Sequence, residues 1–154
     1  MSFTFNRQNG HASNQFAVWI EDARGQYINT LTATRWTANG GWKRRPASIP
    51  LWVKKSGLVD MKKAQIDAVS SATPRSGTLN FIWDGTDNKG KLVANGEYVL
   101  VLEATLRWEN QAYYRVPVSL GNGSAAPQAE IEYSGDGAVE ERSMISDFKV
   151  KVLR

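Results

Sequence analysis

The sequence predicts an all-β antiparallel β-sandwich carrying one short helix and a long loop insertion. Short runs alternate apolar and polar side chains or concentrate β-branched and aromatic residues. Clusters of Gly, Asp and Asn separate these runs at turn-like intervals, and a single stretch carries helix signals at both ends. A chain of 154 residues has the length of one domain, so the strands are expected to share one core over residues 1–154.

Gln15 to Glu21 places Phe16, Val18 and Ile20 on one face and Ala17 and Trp19 on the other, a strand with two apolar faces. Asp22-Ala23-Arg24-Gly25 forms a turn, and the β-branched run Tyr27 to Thr34 completes a hairpin. The next segment interleaves Trp36, Trp42 and Trp52 with basic residues. Within it Ser48 to Gly57 is the helix: Ser48 caps, Pro50 lies in the first turn, Lys54 and Lys55 favour the last, and Gly57 takes the left-handed terminal position. Leu58 to Gly77 is mixed and polar, ends in Ser70-Ser71-Ala72-Thr73-Pro74-Arg75-Ser76-Gly77, and is expected to be a long ordered loop. Strands resume with Thr78 to Trp83, then Glu97 to Trp108 and Tyr113 to Leu120 around a turn at Glu109-Asn110-Gln111. Gly121 to Pro127 is loop, Ala129 to Tyr133 a short strand, and Asp147 to Leu153 a last strand with Phe148, Val150 and Val152 alternating against lysines. About eight short strands at this spacing suggest a sandwich.

The absence of cysteine removes disulfides, thiolate nucleophiles and thiolate-held metals. The longest apolar stretches are strand-sized, short of the ~20 residues a membrane helix requires, so the chain is not expected to span a membrane. Met1-Ser2-Phe3-Thr4-Phe5 is not a signal peptide, and export would mean that a leader has been removed ahead of it. Nineteen basic and fifteen acidic residues leave a formal charge of +4, concentrated in Lys43-Arg44-Arg45, Lys54-Lys55 and Lys62-Lys63. Such a face suits an anionic partner, whether a flavin phosphate, an acidic protein or a membrane surface, or it is simply a solvated exterior. No nucleic-acid recognition pattern accompanies the charge, and nucleic acid is not expected as a partner.

Trp83-Asp84-Gly85-Thr86-Asp87-Asn88-Lys89-Gly90, followed by Asn95-Gly96-Glu97-Tyr98, is the most specific pattern in the chain. Asp84 and Asp87 can accept from nearby backbone amides, Gly85, Gly90 and Gly96 can supply positive φ, and Trp83 and Tyr98 can form a cross-strand aromatic pair. As an EF-hand calcium loop it would place Lys89 at the glycine position and Asn95 at the bidentate glutamate, so no metal is expected. The pattern resembles the strand-turn-strand signature of the immunoglobulin-like domain of the flagellar hook-capping protein, which implies an immunoglobulin-like sandwich.

Together with Phe16-Ala17-Val18-Trp19-Ile20-Glu21-Asp22 and Asp67-Ala68-Val69-Ser70-Ser71-Ala72-Thr73-Pro74, this turn and Gly96-Glu97-Tyr98 resemble a family of predicted periplasmic proteins, domain of unknown function 2271. The likeness spans roughly Gln15 to Leu120. It implies export and a redox neighbourhood, because members tend to be encoded near membrane redox proteins and the enzyme that attaches flavin mononucleotide to proteins. It implies no established activity. Asp67 to Thr73 also resembles the acceptor motif of that transferase: Asp, two variable residues, Ser or Thr, Gly, Ala, then Thr or Ser. This resemblance implies that Thr73 receives flavin mononucleotide as a phosphoester, with Ser70 in the first hydroxyl position and Asp67 positioning the acceptor or its metal. Ser71 departs from the motif's glycine, and Pro74 stiffens the residue after the acceptor.

His11 is the only histidine and lies in a polar N-terminal stretch, where it forms no part of a Ser-His-Asp pattern. Trp36, Trp42 and Trp52 with Arg44 and Arg45 form a candidate ligand or partner face, an aromatic platform for a sugar or a flavin ring; core packing is the competing role. No self-contained catalytic constellation emerges, so the chain is expected not to be an enzyme. The expected function is a non-enzymatic periplasmic accessory module of a membrane-associated, flavin-linked redox system, with a protein partner in the cell envelope. A covalently flavinylated electron carrier using Thr73 and a carbohydrate or envelope-polymer binding module are the alternatives. No cofactor is expected unless flavin mononucleotide is attached.

Overall fold

The computed structural model describes residues 1–121, 127–136 and 139–152. Nine strands lie among the described residues: β1 (Ser2–Phe5), β2 (Gln15–Asp22), β3 (Tyr27–Thr34), β4 (Ser70–Ser71), β5 (Gly77–Asn80), β6 (Gly96–Arg107), β7 (Asn110–Leu120), β8 (Glu130–Ser134) and β9 (Ile145–Lys149). They make an all-β sandwich, with a larger sheet ordered β4-β3-β2-β6-β7-β8 facing a smaller one ordered β5-β1-β9. All pairings are antiparallel except the short contact of Ser70 and Ser71 with Ala33 and Thr34, which is parallel.

The two apolar faces of β2 explain the third layer. Phe16, Val18 and Ile20 point between the sheets and join Phe3, Phe5, Leu100, Leu102 and Val116 in the main core. Ala17 and Trp19 point the other way, where a helical layer covers the large sheet and adds Ile49, Trp52 and Leu58 to a second core. That layer comprises α1 (Trp42–Arg44), α2 (Pro50–Lys55) and α3 (Lys63–Val69). A sheet buried on both sides reads as continuously apolar rather than alternating, and β2 is buried at every position from Gln15 to Glu21.

Helix α2 forms where its punctuation predicts, but its start is built differently. Ser48 does not cap it: its hydroxyl lies 2.6 Å from Thr37 Oγ1. Ile49 holds the capping position with φ of +40°, in the left-handed region. The first amides are taken by a side chain from β6, because Leu51 N–H and Trp52 N–H donate to the Glu103 carboxylate at 3.0 and 2.7 Å. Gly57 closes the helix in the left-handed region as expected.

Leu58 to Gly77, expected to be loop, instead contains a 3-10 turn at Leu58–Asp60, helix α3 and strand β4. Met61, Ile66 and Val69 pack against the second core, and Lys62 N–H donates to Gln65 Oε1 at 2.8 Å, which fixes the start of α3. The polar residues of this stretch form the exposed side of an amphipathic helix, so composition alone misreads it. Strand β1 is likewise absent from the sequence reading; Phe3 and Phe5 alternate inward and their rings lie 5.5 and 5.4 Å from that of Phe16. The strand expected over Thr78 to Trp83 ends at Asn80, and the last strand lies earlier than Asp147 to Leu153. Leu153 and residues 122–126 of the expected loop lie outside the described residues.

The turn pattern is held by its own side chains and backbone. Asp84 accepts from Thr86 N–H and Thr86 Oγ1, and Asp87 from Lys89 N–H and Lys91 N–H. These bonds favour the carboxylate forms and hold both acids below their usual range, led by Thr86 for Asp84 and Lys91 for Asp87. Gly85 and Gly90 adopt φ of +78° and +75°, and Gly96 opens β6. The rings of Trp83 and Tyr98 meet edge to face at 5.1 Å.

Candidate functional site

At the end of β3 the chain leaves the sheet through Arg35 and Trp36 and makes a wide turn over Thr37–Gly41 before α1. The base of this excursion is tied to the sheet by a buried polar knot. Thr34 and Thr37 both donate to Gln15 Oε1, at 2.7 and 2.9 Å, which leaves Thr37 Oγ1 to accept from Ser48. Asn39 Nδ2 then bonds Arg35 O at 3.2 Å across the turn. Satisfied groups of this kind hold a loop in one geometry.

The excursion and α3 together line an open pocket of about 670 Å³. Arg35, Trp36, Asn39, Gly40, Gly41 and Arg44 line it from the excursion, and Lys63 and Asp67 line it from α3. Trp36 is 44% exposed. A methyl group on Gly41 would lie 2.5 Å from Trp36 Cε3, so only glycine lets the indole pack this closely there. Lys63 and Asp67, one helical turn apart, form an ion pair at 2.9 Å. Arg35 and Arg44 have no carboxylate within ion-pair distance among the described residues. The pocket therefore carries two uncompensated guanidinium groups beside an indole face.

The other members of the expected Trp/Arg face do different jobs. Trp52 is fully buried in the second core, where its ring N–H donates to Thr30 Oγ1 at 3.0 Å; it is a packing residue and not a platform. Trp42 is half-buried against the same core, with Lys43 Nζ 5.4 Å from its ring centroid. Arg45 turns back to the carbonyls of Ala12 and Trp108 and staples the loop before β2 to the end of β6. Burial lowers its pKa, and Glu109 opposes that shift. Arg44 is the member that faces the pocket with Trp36.

Of the segment that resembles the flavin acceptor motif, Asp67 lies in the pocket wall, while Ser70 and Thr73 lie beyond it. Ser70 pairs with Ala33 and its hydroxyl is buried without a hydrogen-bond partner in the structure. Ser71 pairs with Thr34, so the chain running on to Thr73 leaves the sheet at the same end as Arg35. Thr73 is half-buried and follows β4 by two residues. His11 is exposed in the loop between β1 and β2.

Two buried acids escaped the sequence reading. Glu103 is fully enclosed and both carboxylate oxygens accept amides of α2; burial raises its pKa to about 7, against the pull of those same bonds. Glu21 accepts from the Trp19 indole N–H at 2.9 Å and pairs with Lys55 and Arg115 at 3.2 and 2.9 Å. Their signal was an acid on the otherwise apolar face of a strand, at Glu21 after Trp19 and at Glu103 after Val101. Neither carboxylate reaches solvent, and both serve to fasten the helical layer.

Among the described residues, no helix is long and apolar enough to cross a membrane. No curated protein and no solved structure matches the chain. A family model described as "Predicted periplasmic protein (DUF2271)" matches residues 1–141, a range that holds β1 to β8 and the segments named above, and the chain belongs to this family of predicted periplasmic proteins of unknown function.

Proposed function

We propose that the protein is a non-enzymatic interaction module of a membrane-associated, flavin-linked redox system in the periplasm, and that it engages its partner through the Trp36 pocket. The observation that carries this reading is the convergence of Trp36, Arg35 and Arg44 from one segment with Lys63 and Asp67 from another, around one concavity. The titratable groups with the firmest geometry, Glu21 and Glu103, are sealed and spent on structure, which favours binding over catalysis. A photo-crosslinking residue at Asn39, used in intact cells, tests the reading. Capture of a membrane redox protein that disappears with Arg44→Glu supports it; capture of partners from other systems overturns the redox assignment.

A second reading is covalent flavinylation at Thr73, and the position of Asp67 favours it. The residue that resembles the motif's acid stands in the wall of a basic, indole-faced pocket, and β4 delivers the chain toward Thr73 at that end of the sheet. In this reading Thr73 Oγ1 displaces the nucleotide half of a flavin dinucleotide: the phosphoester forms, the phosphoanhydride breaks, and the hydroxyl proton passes to solvent. Intact mass after export with a flavin mononucleotide transferase decides it. A gain of one flavin mononucleotide residue that vanishes in Thr73→Ala makes the protein an electron carrier. An unmodified mass beside a modified control acceptor overturns it.

A further inference from the structure

We propose that the Trp36 pocket binds an acidic sugar, a pyranose ring bearing a carboxylate or phosphate, with the ring on the indole and the acid group on Arg35 and Arg44. This rests on the reading of the pocket as the interaction site and specifies what enters it. The indole packs against Gly41 around Cδ2 and Cε3 and leaves the rest of its surface exposed at the pocket. Such an aromatic wall suits the C–H face of a sugar, whose equatorial hydroxyls then project sideways toward polar partners. Gly40 carries no side chain and has open space where a Cβ would stand, so a ring can approach its backbone closely where any other residue would intrude.

The charges of the two walls sort the ends of the ligand. On the excursion, Arg35 and Arg44 are uncompensated among the described residues, and guanidinium groups grip carboxylate and phosphate oxygens through paired N–H donors. On α3, Lys63 is already neutralised by Asp67 at 2.9 Å. The Asp67 carboxylate repels a second anion but accepts from hydroxyls, and Asn39 adds an amide that both donates and accepts. A ligand with its negative charge at one end and hydroxyls at the other satisfies both walls. A neutral sugar leaves the arginines unused, and a planar heterocycle without hydroxyls leaves Asp67 and Asn39 unpaired; flavin mononucleotide, which has ribityl hydroxyls and a phosphate, is the rival that titration excludes or favours.

The shared chemistry fits a uronate residue in an envelope polysaccharide or a free sugar acid, and titration separates them. The indole N–H resonance of Trp36, assigned with Trp36→Phe, is followed while adding galacturonate, galactose, polygalacturonate and flavin mononucleotide. Galacturonate is expected to bind about tenfold or more tightly than galactose, and to weaken about tenfold in Arg44→Gln and in 0.5 M relative to 0.05 M salt, roughly as a charge-assisted contact predicts. Polygalacturonate binding more tightly per residue than the monomer assigns the polymer; equal binding assigns the free acid. Trp36→Ala should abolish the ligand-induced shifts of neighbouring amides, with Arg44→Gln as the independent check because it lies outside the core. Equal affinity for galactose, indifference to Arg44→Gln, or saturation by flavin mononucleotide alone overturns the proposal. A redox crosslink at Asn39 that persists without galacturonate binding removes the sugar and keeps the interaction reading; sugar binding without that crosslink does the reverse.

Discussion

Glu103 shows how one side chain couples the helical layer to the sheet. It projects from the middle of β6 and replaces the missing cap of α2, with both oxygens bonded to successive amides. Burial nonetheless dominates and raises its pKa from 4.5 to about 7, so the folded state favours the protonated form more than the unfolded chain does. A raised carboxyl pKa contributes stability that is complete below about pH 4.5 and is lost as pH rises through about 7. The span corresponds to about 3 kcal/mol, an upper figure because solvent relaxation reduces it. Urea melts of the wild type and Glu103→Gln between pH 4 and 8 should show the wild type losing its advantage as pH rises. A difference independent of pH would mean that the carboxyl titrates alike in the folded and the unfolded chain. The sequence shows an acid in an apolar run, and only the position of α2 above it reveals what that acid does.

At the scale of elements, the long strands were legible because pattern and packing agree: β2, β3, β6 and β7 lie within a few residues of where alternation and turn residues put them. The elements that were missed are those whose signal comes from a distant partner. Strand β1 is four residues long and becomes a strand only between β5 and β9. Helix α3 presents too few apolar positions to declare itself until the second core lies beneath it. Packing likewise separates the three tryptophans, since Trp36, Trp42 and Trp52 sit in similar basic sequence and differ only in what the fold puts against them. Trp52 anchors α2 to β3 through a buried ring and a bond to Thr30, so Trp52→Ala should cost about 3–5 kcal/mol in a denaturant melt. The cost should appear with little change at the pocket, read from the Trp36 indole resonance. A loss below about 1 kcal/mol would mean that the helical layer collapses into the vacated space.

At the scale of the molecule, the two sheets do not depend on each other equally. The large sheet has six strands and is covered on both faces, whereas the small one is held together by β1 alone, since β5 and β9 each pair with β1 and not with each other. Phe3 and Phe5 are the side chains by which β1 reaches the main core, and both are fully buried. Removing the Phe5 ring should cost about 3–5 kcal/mol, a large share of the roughly 5–15 kcal/mol that holds a domain together. If the small sheet opens as a unit, Phe5→Ala should speed amide exchange at Gly77–Asn80 and Ile145–Lys149 together, while β2, β6 and β7 keep the protection of global unfolding. Exchange that accelerates equally in all strands would show one cooperative unit instead. The pocket sits on the far side of the large sheet from β1, so independent opening predicts that Phe5→Ala leaves ligand binding at Trp36 unchanged, whereas a single unit predicts that both fail at the same denaturant concentration.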